Sequence, residues 1–376
     1  MKPSDVARSK TTTSPGLFRA EMFRRVVKRR PADVGSLVAK SWREAETLVP
    51  QVQATMLEAV QAPGILGEAA SYQLQGQAKR IRARLAVASG KALGADMAAV
   101  VKIAAATELL HEASLVHDDL QDRDTLRRGR KTVWFAYSDE LAITLGDWFI
   151  NQAYDVMLSV EGPAVTTRHL ARAMAKAVGD TVRGQALEND AKASLNTTQS
   201  DYIDLAGGKT APLLALPLEA VALVAGCGAT ERNAIRAGLE CLGSAYQLRD
   251  DLIDLLGEKG RGEAGADLIE GKATLPVLIH YRNAGESERN ALRRFLESPR
   301  DIREQEASAW ARTLVESPAF DEVRDTVDGL MSLGFDALAD APEAMTLLVK
   351  RVFGKLIAPV QRECAQHSEL RHAAAG

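Results

Sequence analysis

The chain has 376 residues, 46% of them hydrophobic, enough to bury a sizeable core. Aromatic residues reach only 5%, which disfavours sandwiches and barrels built on aromatic and β-branched strands. The 47 basic and 50 acidic residues leave a net charge of −3, which excludes nucleic-acid binding through a general basic field.

Residues 1–33 open with Ser, Thr and Pro and then turn basic through Arg19, Arg24, Arg25, Lys28, Arg29 and Arg30. Such a run predicts a solvated, disordered tail. Leu17, Phe18, Met22, Phe23, Val26 and Val27 would also give a short helix one apolar face, so weak contact with a membrane surface is the other reading. Residues 34–376 are expected to form one all-helical domain. Apolar positions recur at helical spacing over 98–121, 139–159, 163–189, 199–225, 230–256 and 273–284. Pro212 and Pro217 predict a kink in the fourth of these segments. Gly257, Gly260, Gly262 and Gly265 predict a mobile loop after the fifth. Pro276 stands early in the sixth, where a missing N–H costs little. No alternating run is long enough to predict a sheet. No uninterrupted apolar stretch has the length of a membrane-spanning helix. Cys227, Cys241 and Cys364 are widely separated and fit no zinc spacing, so a reducing cytoplasm is the expected setting.

Two acidic clusters carry the chemistry. In His111-Glu-Ala-Ser-Leu-Val-His-Asp-Asp-Leu-Gln-Asp122, helical geometry puts His111, Leu115, Asp118 and Asp122 on one face, with Asp119 beside it. In Gln247-Leu-Arg-Asp-Asp-Leu-Ile-Asp254, Asp250 and Asp254 are one turn apart, and Gln247 is one turn before Asp251. Either cluster alone could be a solvated helix end. Two Asp-Asp-x-x-Asp segments within apolar helices point instead to a shared polyphosphate site. Grouped carboxylates repel unless cations sit among them. Hard oxygen ligands favour Mg²⁺, which usually binds through one or two carboxylates plus substrate phosphates. Candidate phosphate-binding cations are Arg127 and Arg128 just past the first cluster, Lys209 beside Thr210, Lys272, and the group Lys79, Arg80, Arg82 and Arg84. Each taken singly could equally be an ordinary surface cation.

This ordered set resembles the trans-prenyl diphosphate synthases, the polyprenyl synthetase family, over roughly residues 40–290. It runs Lys79-Arg80-Ile81-Arg82, His111 to Asp122, Leu126-Arg127-Arg128-Gly129, Gly184-Gln185, Lys209-Thr210, Tyr246-Gln247 to Asp254, and Asp267-Leu268 to Pro276. The resemblance implies long helices around a deep apolar cavity, and a homodimer. It implies that Asp118, Asp119, Asp122, Asp250, Asp251 and Asp254 hold about three Mg²⁺ ions against an allylic diphosphate, which Arg127, Lys209 and Lys272 also bind. Lys79, Arg82, His111 and Arg128 would take the diphosphate of isopentenyl diphosphate. Thr210 and Gln247 would lie beside the reacting carbons. Two departures stand out. The first basic motif has Gln77-Ala78 and Ala83 where the family has a Gly pair and Pro. The lid carries Lys259, Gly260, Arg261 and Gly262 in a shifted arrangement, which leaves its cation unassigned.

The implied reaction is ionisation of the allylic diphosphate, attack by the isopentenyl double bond, and loss of a proton to the released diphosphate. Ala113 and Ser114, one turn before the first Asp pair, are small. In the family, aromatic residues there stop growth at farnesyl length, so the expected product is geranylgeranyl diphosphate or a longer chain. Trp148, Phe149 or Ile150 would then form a deeper floor. His117 is expected to pack against the carboxylates or brace them. Gly260 to Gly265 fits a dinucleotide-binding pattern but follows a helix, not a strand. Asp122-Arg-Asp-Thr125 has no buried strand leading into it, as a phosphatase nucleophile would need. A class I terpene cyclase shares the expected fold, but its second metal motif mixes Asn, Ser or Thr, and Glu. A non-catalytic regulatory subunit would tend to lose the Asp clusters, and both are intact here.

Overall fold

The computed structural model describes residues 31–76, 78–191, 194–257 and 264–357. The chain is helix after helix, as composition and spacing predict. In order these are α1 (Pro31–Ala59), α2 (Gly64–Leu74), α3 (Ile81–Leu93) and α4 (Met97–Gln121). A short hairpin, β1 (Leu126–Arg127) and β2 (Arg130–Lys131), precedes α5 (Val133–Ala136), α6 (Asp139–Leu158), α7 (Ala164–Ala191), α8 (Gln199–Val224) and α9 (Ala229–Leu256). Then come α10 (Ala266–Ile269), α11 (Leu275–Asn283), α12 (Glu286–Glu297), α13 (Arg300–Glu316) and α14 (Pro318–Ala337). A 3₁₀ turn and a last helix, α15 (343–357), complete the described chain.

Local chemistry sets the helix ends. Asp96 accepts from the Ala98 amide at the start of α4, Ser138 from Leu141 at α6, and Thr198 from Asp201 at α8. Each satisfies one of the N–H groups that a helix start leaves unpaired. Glu231 does the same for the Gly228 amide at α9. Gly94 and Gly257 end α3 and α9 at φ +67° and +78°, the left-handed stop that glycine adopts without a Cβ penalty. Pro276 falls in the first turn of α11, as expected.

Three features bear on the sequence-based expectations. First, Pro212 and Pro217 both stand inside α8, the helix where they lead one to expect a kink, and neither ends it; much of the helix is buried in the core. By length and apolarity α8 would also pass as a membrane-spanning candidate, but 61% of its most apolar window is buried inside the protein. Second, the hairpin pairs Leu126 with Lys131 and Arg127 with Arg130. Two residues per strand are too few to show alternation. Third, α1 begins at Pro31, inside the stretch assigned to the tail. The rest of that tail, the lid cations Lys259 and Arg261, and Cys364 lie outside the described residues.

Helix α4 packs against α1, α3, α6 and α8, and α8 in turn packs against α3, α7 and α9. Helix α4 is buried along most of its length, from Ala99 to Asp119. Helix α8 is approached closely on two sides. A Cβ on Gly184 of α7 would lie 2.5 Å from the Gly208 carbonyl carbon and the Lys209 nitrogen. A Cβ on Gly243 of α9 would lie 2.5 Å from the Cβ of Ala211. Backbone therefore meets backbone around Lys209 and Thr210, and their position is fixed by helices that cannot slide apart.

Gly184→Ala should lower stability by about 1–3 kcal/mol through overpacking, read as a fall in Tm. Gly179→Ala, where the nearest atom to a new Cβ is 3.9 Å away, should be neutral or slightly stabilising.

Candidate active site

Helices α3, α4, α7, α8 and α9, the hairpin, and the segment from α10 to the start of α11 enclose one cavity of about 1940 Å³. That exceeds an ordinary small-molecule pocket and leaves room for two ligands at once. One end is polar. Leu110, Ala113, Val178, Leu205, Leu213 and Leu214 make much of the rest apolar.

Both acidic clusters reach this cavity, and two lysines connect their surroundings. Lys209 Nζ stands 3.6 Å from Asp118 Oδ1 and 2.9 Å from Glu188 Oε2. Lys272 Nζ stands 3.9 Å from Asp122 Oδ2, 3.5 Å from Asp267 Oδ1 and 2.5 Å from Glu270 Oε2. Asp267 in turn donates its backbone N–H to Asp254 Oδ2 at 2.9 Å. A chain of contacts thus runs from the end of α4, through Lys272, to the end of α9. Burial lowers the pKa of both lysines, but the surrounding carboxylates outweigh it and the net shift is upward. Burial pushes the Asp118 carboxyl up, and Lys209 opposes the shift.

The six predicted aspartates do not stand alike. Asp118, Asp122, Asp250 and Asp251 line the cavity, whereas Asp119 and Asp254 lie behind its wall. Asp119 is buried; burial raises its pKa to about 6, against the pull of Arg127, whose Nε donates to Oδ1 at 2.5 Å. Asp250 pairs with Arg249 at 2.6 Å. Asp251 accepts from the Tyr202 hydroxyl at 2.7 Å and from Gln247 Nε2 at 3.3 Å. The carbonyl of Asp254 accepts from both Gly257 N and Gly265 N, so this residue closes the base of the intervening loop.

Among the described residues, no three His, Cys, Asp or Glu side chains converge tightly enough to hold an ion by themselves. The aspartates that face the cavity nonetheless offer hard carboxylate oxygens. They suit Mg²⁺, which takes few protein ligands and completes its octahedron with phosphate and water. Asp118, Asp122, Asp250 and Asp251 are the candidates to hold it.

The second basic group gathers at the same polar end. Lys79, Arg82, His111 and Arg128 all line the cavity. Burial, then Arg82 and Arg128, holds the His111 imidazole well below its ordinary pKa. Arg82 Nε and His111 Nδ1 are buried without a hydrogen-bond partner. Arg80 and Arg84, grouped with them in the sequence, behave differently. Arg80 is buried in an ion pair with Glu108 and Glu112, and Arg84 faces Glu46 at 3.7 Å.

Thr210 and Gln247 line the cavity together, with Thr210 Oγ1 donating to Gln247 Oε1 at 3.4 Å. Ala113 and Ser114 lie on the wall, and of the three proposed floor residues only Ile150 does. Phe149 is fully buried elsewhere, and Trp148 Nε1 donates to the Val60 carbonyl. His117 packs against Gly146, with Nε2 3.4 Å from the Ile143 carbonyl. Arg127, placed with the allylic cations, is turned toward Asp119 and Asp124.

Sequence reasoning missed Glu188, Glu270, Tyr202 and Arg249, all on the cavity wall. It also missed Arg303 of α13, whose Nε donates to the Ile269 carbonyl at 2.7 Å and whose NH1 donates to Ser298 O. That guanidinium lies against the Gly271 turn that carries Lys272. None of these residues belongs to a pattern that spacing alone would single out.

The polyprenyl synthetase family pattern matches residues 63–313. The geranylgeranyl diphosphate synthase of Methanosarcina mazei is 30% identical over 294 residues, covering 77% of this chain and 89% of that one. The (2E,6E)-farnesyl diphosphate synthase of Mycobacterium tuberculosis is 37% identical over 212 residues, covering 55% and 58%. Among solved structures, a polyprenyl synthase from Caulobacter crescentus, complexed with calcium and isoprenyl diphosphate, superposes with a TM-score of 0.75 at 28% identity. That match covers 85% of this chain and 97% of the other.

The different settings of Asp250 and Asp254 give a prediction. Asp254→Asn keeps an oxygen to accept the Asp267 amide, so turnover should stay within about threefold. Asp250→Asn removes a charge that faces the cavity and should cut turnover at least about a hundredfold. Steady-state rates with saturating Mg²⁺ measure both.

Proposed function

The chain belongs to the polyprenyl synthetase family and is a trans-prenyl diphosphate synthase; from that premise we propose that it condenses isopentenyl diphosphate with an allylic diphosphate to give geranylgeranyl diphosphate or a longer all-trans product. The observation that carries this reading is the convergence of both aspartate clusters and two sets of cations on one cavity whose remaining wall is largely apolar.

In this reading Asp118, Asp122, Asp250 and Asp251 hold Mg²⁺ at the allylic diphosphate, about three ions by resemblance. Asp119 and Asp254 support that set from behind. The chemistry that bound Mg²⁺ supplies is Lewis-acid uptake of the charge that develops on the leaving oxygens. Lys209 and Lys272 aim fixed ammonium groups at the same charge, so little reorganisation is needed as the bond breaks. Arg127 also lines the cavity and holds Asp119 in place.

Lys79, Arg82, His111 and Arg128 bind the second diphosphate and set the approach of the isopentenyl double bond. Burial and the neighbouring arginines lower the His111 pKa, which makes it a poor proton acceptor, and its part here is a hydrogen bond to that diphosphate. The proton passes to the released diphosphate, which Lys209 and Lys272 keep near the reacting carbons. Thr210 and Gln247 lie beside those carbons. Leu213, Leu214 and the other apolar wall residues exclude water, which would trap an allylic cation as an alcohol.

The small Ala113 and Ser114 on the wall, with Ile150 also facing the cavity, support a product beyond farnesyl length. A homodimer is part of the reading by family resemblance. A cytoplasmic setting fits the free thiols of Cys227 and Cys241.

Incubation with isopentenyl and dimethylallyl diphosphates should give products of twenty carbons or more by mass spectrometry. Termination at fifteen carbons overturns the length assignment. Asp118→Ala should lower turnover by at least about 10²-fold with an unchanged circular dichroism spectrum. Full activity in that variant would remove the proposed metal site.

A further inference from the structure

Lys79 and Arg82 are separated by Arg80, which does something different from its neighbours. Arg80 is only 6% exposed, and its backbone sits at φ 46°, ψ 46°. The left-handed region costs a residue with a Cβ about 1–2 kcal/mol, so the surrounding contacts must hold the loop there.

Those contacts come from two acids on α4. Arg80 NH1 lies 3.2 Å from Glu108 Oε2 and 2.5 Å from Glu112 Oε1. Both carboxylates are buried, at 1% and 3% exposure. The second oxygen of Glu108 accepts from the Ala83 backbone N–H at 3.0 Å. Ala83 is in the first turn of α3, and Arg80 at that helix's N-cap offers no side-chain cap. Glu108 therefore caps α3 from another helix. The second oxygen of Glu112 accepts from Gln73 Nε2 at 2.8 Å, which ties in the end of α2. One pair of carboxylates thus joins α2, the loop, α3 and α4.

His111 lies between the two acids in sequence. Helix α4 presents both Glu108 and His111 to the cavity, and Glu108 and Glu112 together grip the loop that carries Lys79 and Arg82. The acids also act on charge. Burial disfavours the charged form of Arg82, and Glu108 and Glu112 oppose that effect. Without them Arg80, Arg82 and Arg128 would crowd one polar end with positive charge before any diphosphate arrived.

We propose that Glu108 and Glu112 are positioning residues for the isopentenyl diphosphate subsite: by gripping Arg80 and the first turn of α3 they set where Lys79 and Arg82 stand. The proposal rests on the reading of Lys79 and Arg82 as contacts to that diphosphate. Each glutamate acts through Arg80 and the loop.

Steady-state kinetics of the full chain with Mg²⁺ test this, with each substrate varied in turn. Glu108→Gln and Glu112→Gln should each raise the KM for isopentenyl diphosphate about tenfold, the scale of one weakened charge-assisted contact. The KM for the allylic diphosphate should stay within about twofold of the parent value. Arg80→Gln should act the same way, because it leaves two buried carboxylates facing each other. Arg80→Gln combined with Glu112→Gln restores the charge count and should recover part of the loss. If a glutamine variant fails to fold, Glu112→Asp keeps the charge one methylene further back and should give a smaller shift of the same kind.

Lys79→Ala serves as the control. If it raises the isopentenyl diphosphate KM while the glutamate variants move both KM values equally, or neither, the positioning role is overturned and the subsite stands. A lowered Tm with both KM values unchanged also overturns it, since that is a structural role alone. If Lys79→Ala leaves the isopentenyl diphosphate KM unchanged, the subsite itself is wrong and the proposal falls with it.

Discussion

Across the polar end of the cavity, aspartates of α4 face ammonium groups from α8 and from the segment after α10. Lys209 meets Asp118, and Lys272 meets Asp122, Asp267 and Glu270. Isolated buried ions of either sign are costly to take out of water. Together they compensate one another, and the fold can hold many charges beside an apolar chamber. In the proposed reaction, phosphate oxygens would take over the lysines and the metal would take over the carboxylates.

The scaffold around these charges works by close approach. Glycines at 184 and 243 let α7 and α9 press against α8 on either side of Lys209 and Thr210. Caps at Asp96, Ser138 and Thr198 fix where helices begin. Buried ion pairs then anchor the loops: Arg80 with Glu108 and Glu112 at one margin, and Arg303 against the carbonyls before Lys272 at the other. Two cation-bearing loops are thus each anchored by buried or part-buried polar contacts.

Much of this is legible in the residues themselves. Helical periodicity places α4 and α6 to α9 within a residue or two of their ends, because each has a sustained apolar pattern. The two aspartate motifs stand out because carboxylates crowded into an apolar helix repel one another and need a cation to offset them. What stays hidden depends on tertiary structure. Six aspartates in two matching motifs look equivalent in sequence, yet Asp119 and Asp254 turn away from the chamber. Arg80 looks like its neighbours Lys79 and Arg82 until Glu108 and Glu112 are seen around it. Glu108 and Glu112 read as ordinary helix positions, four apart on a helix whose length is mostly buried. The hairpin at 126–131 is too short to leave a periodic trace, and Arg303 reaches the site by capping carbonyls, for which no residue pattern exists.

The contact between α7 and α8 at Gly184 has an implication for how such a protein can diversify. Side chains are the usual adjustable parts of a binding site, but here Lys209 is located by main chain resting on main chain. Mutation has no graded handle on that distance: any larger residue wedges the helices, and no smaller one exists. Volume is freer to change further along the apolar wall, at places such as Ala113, Ile150 and Leu214, which line the same cavity.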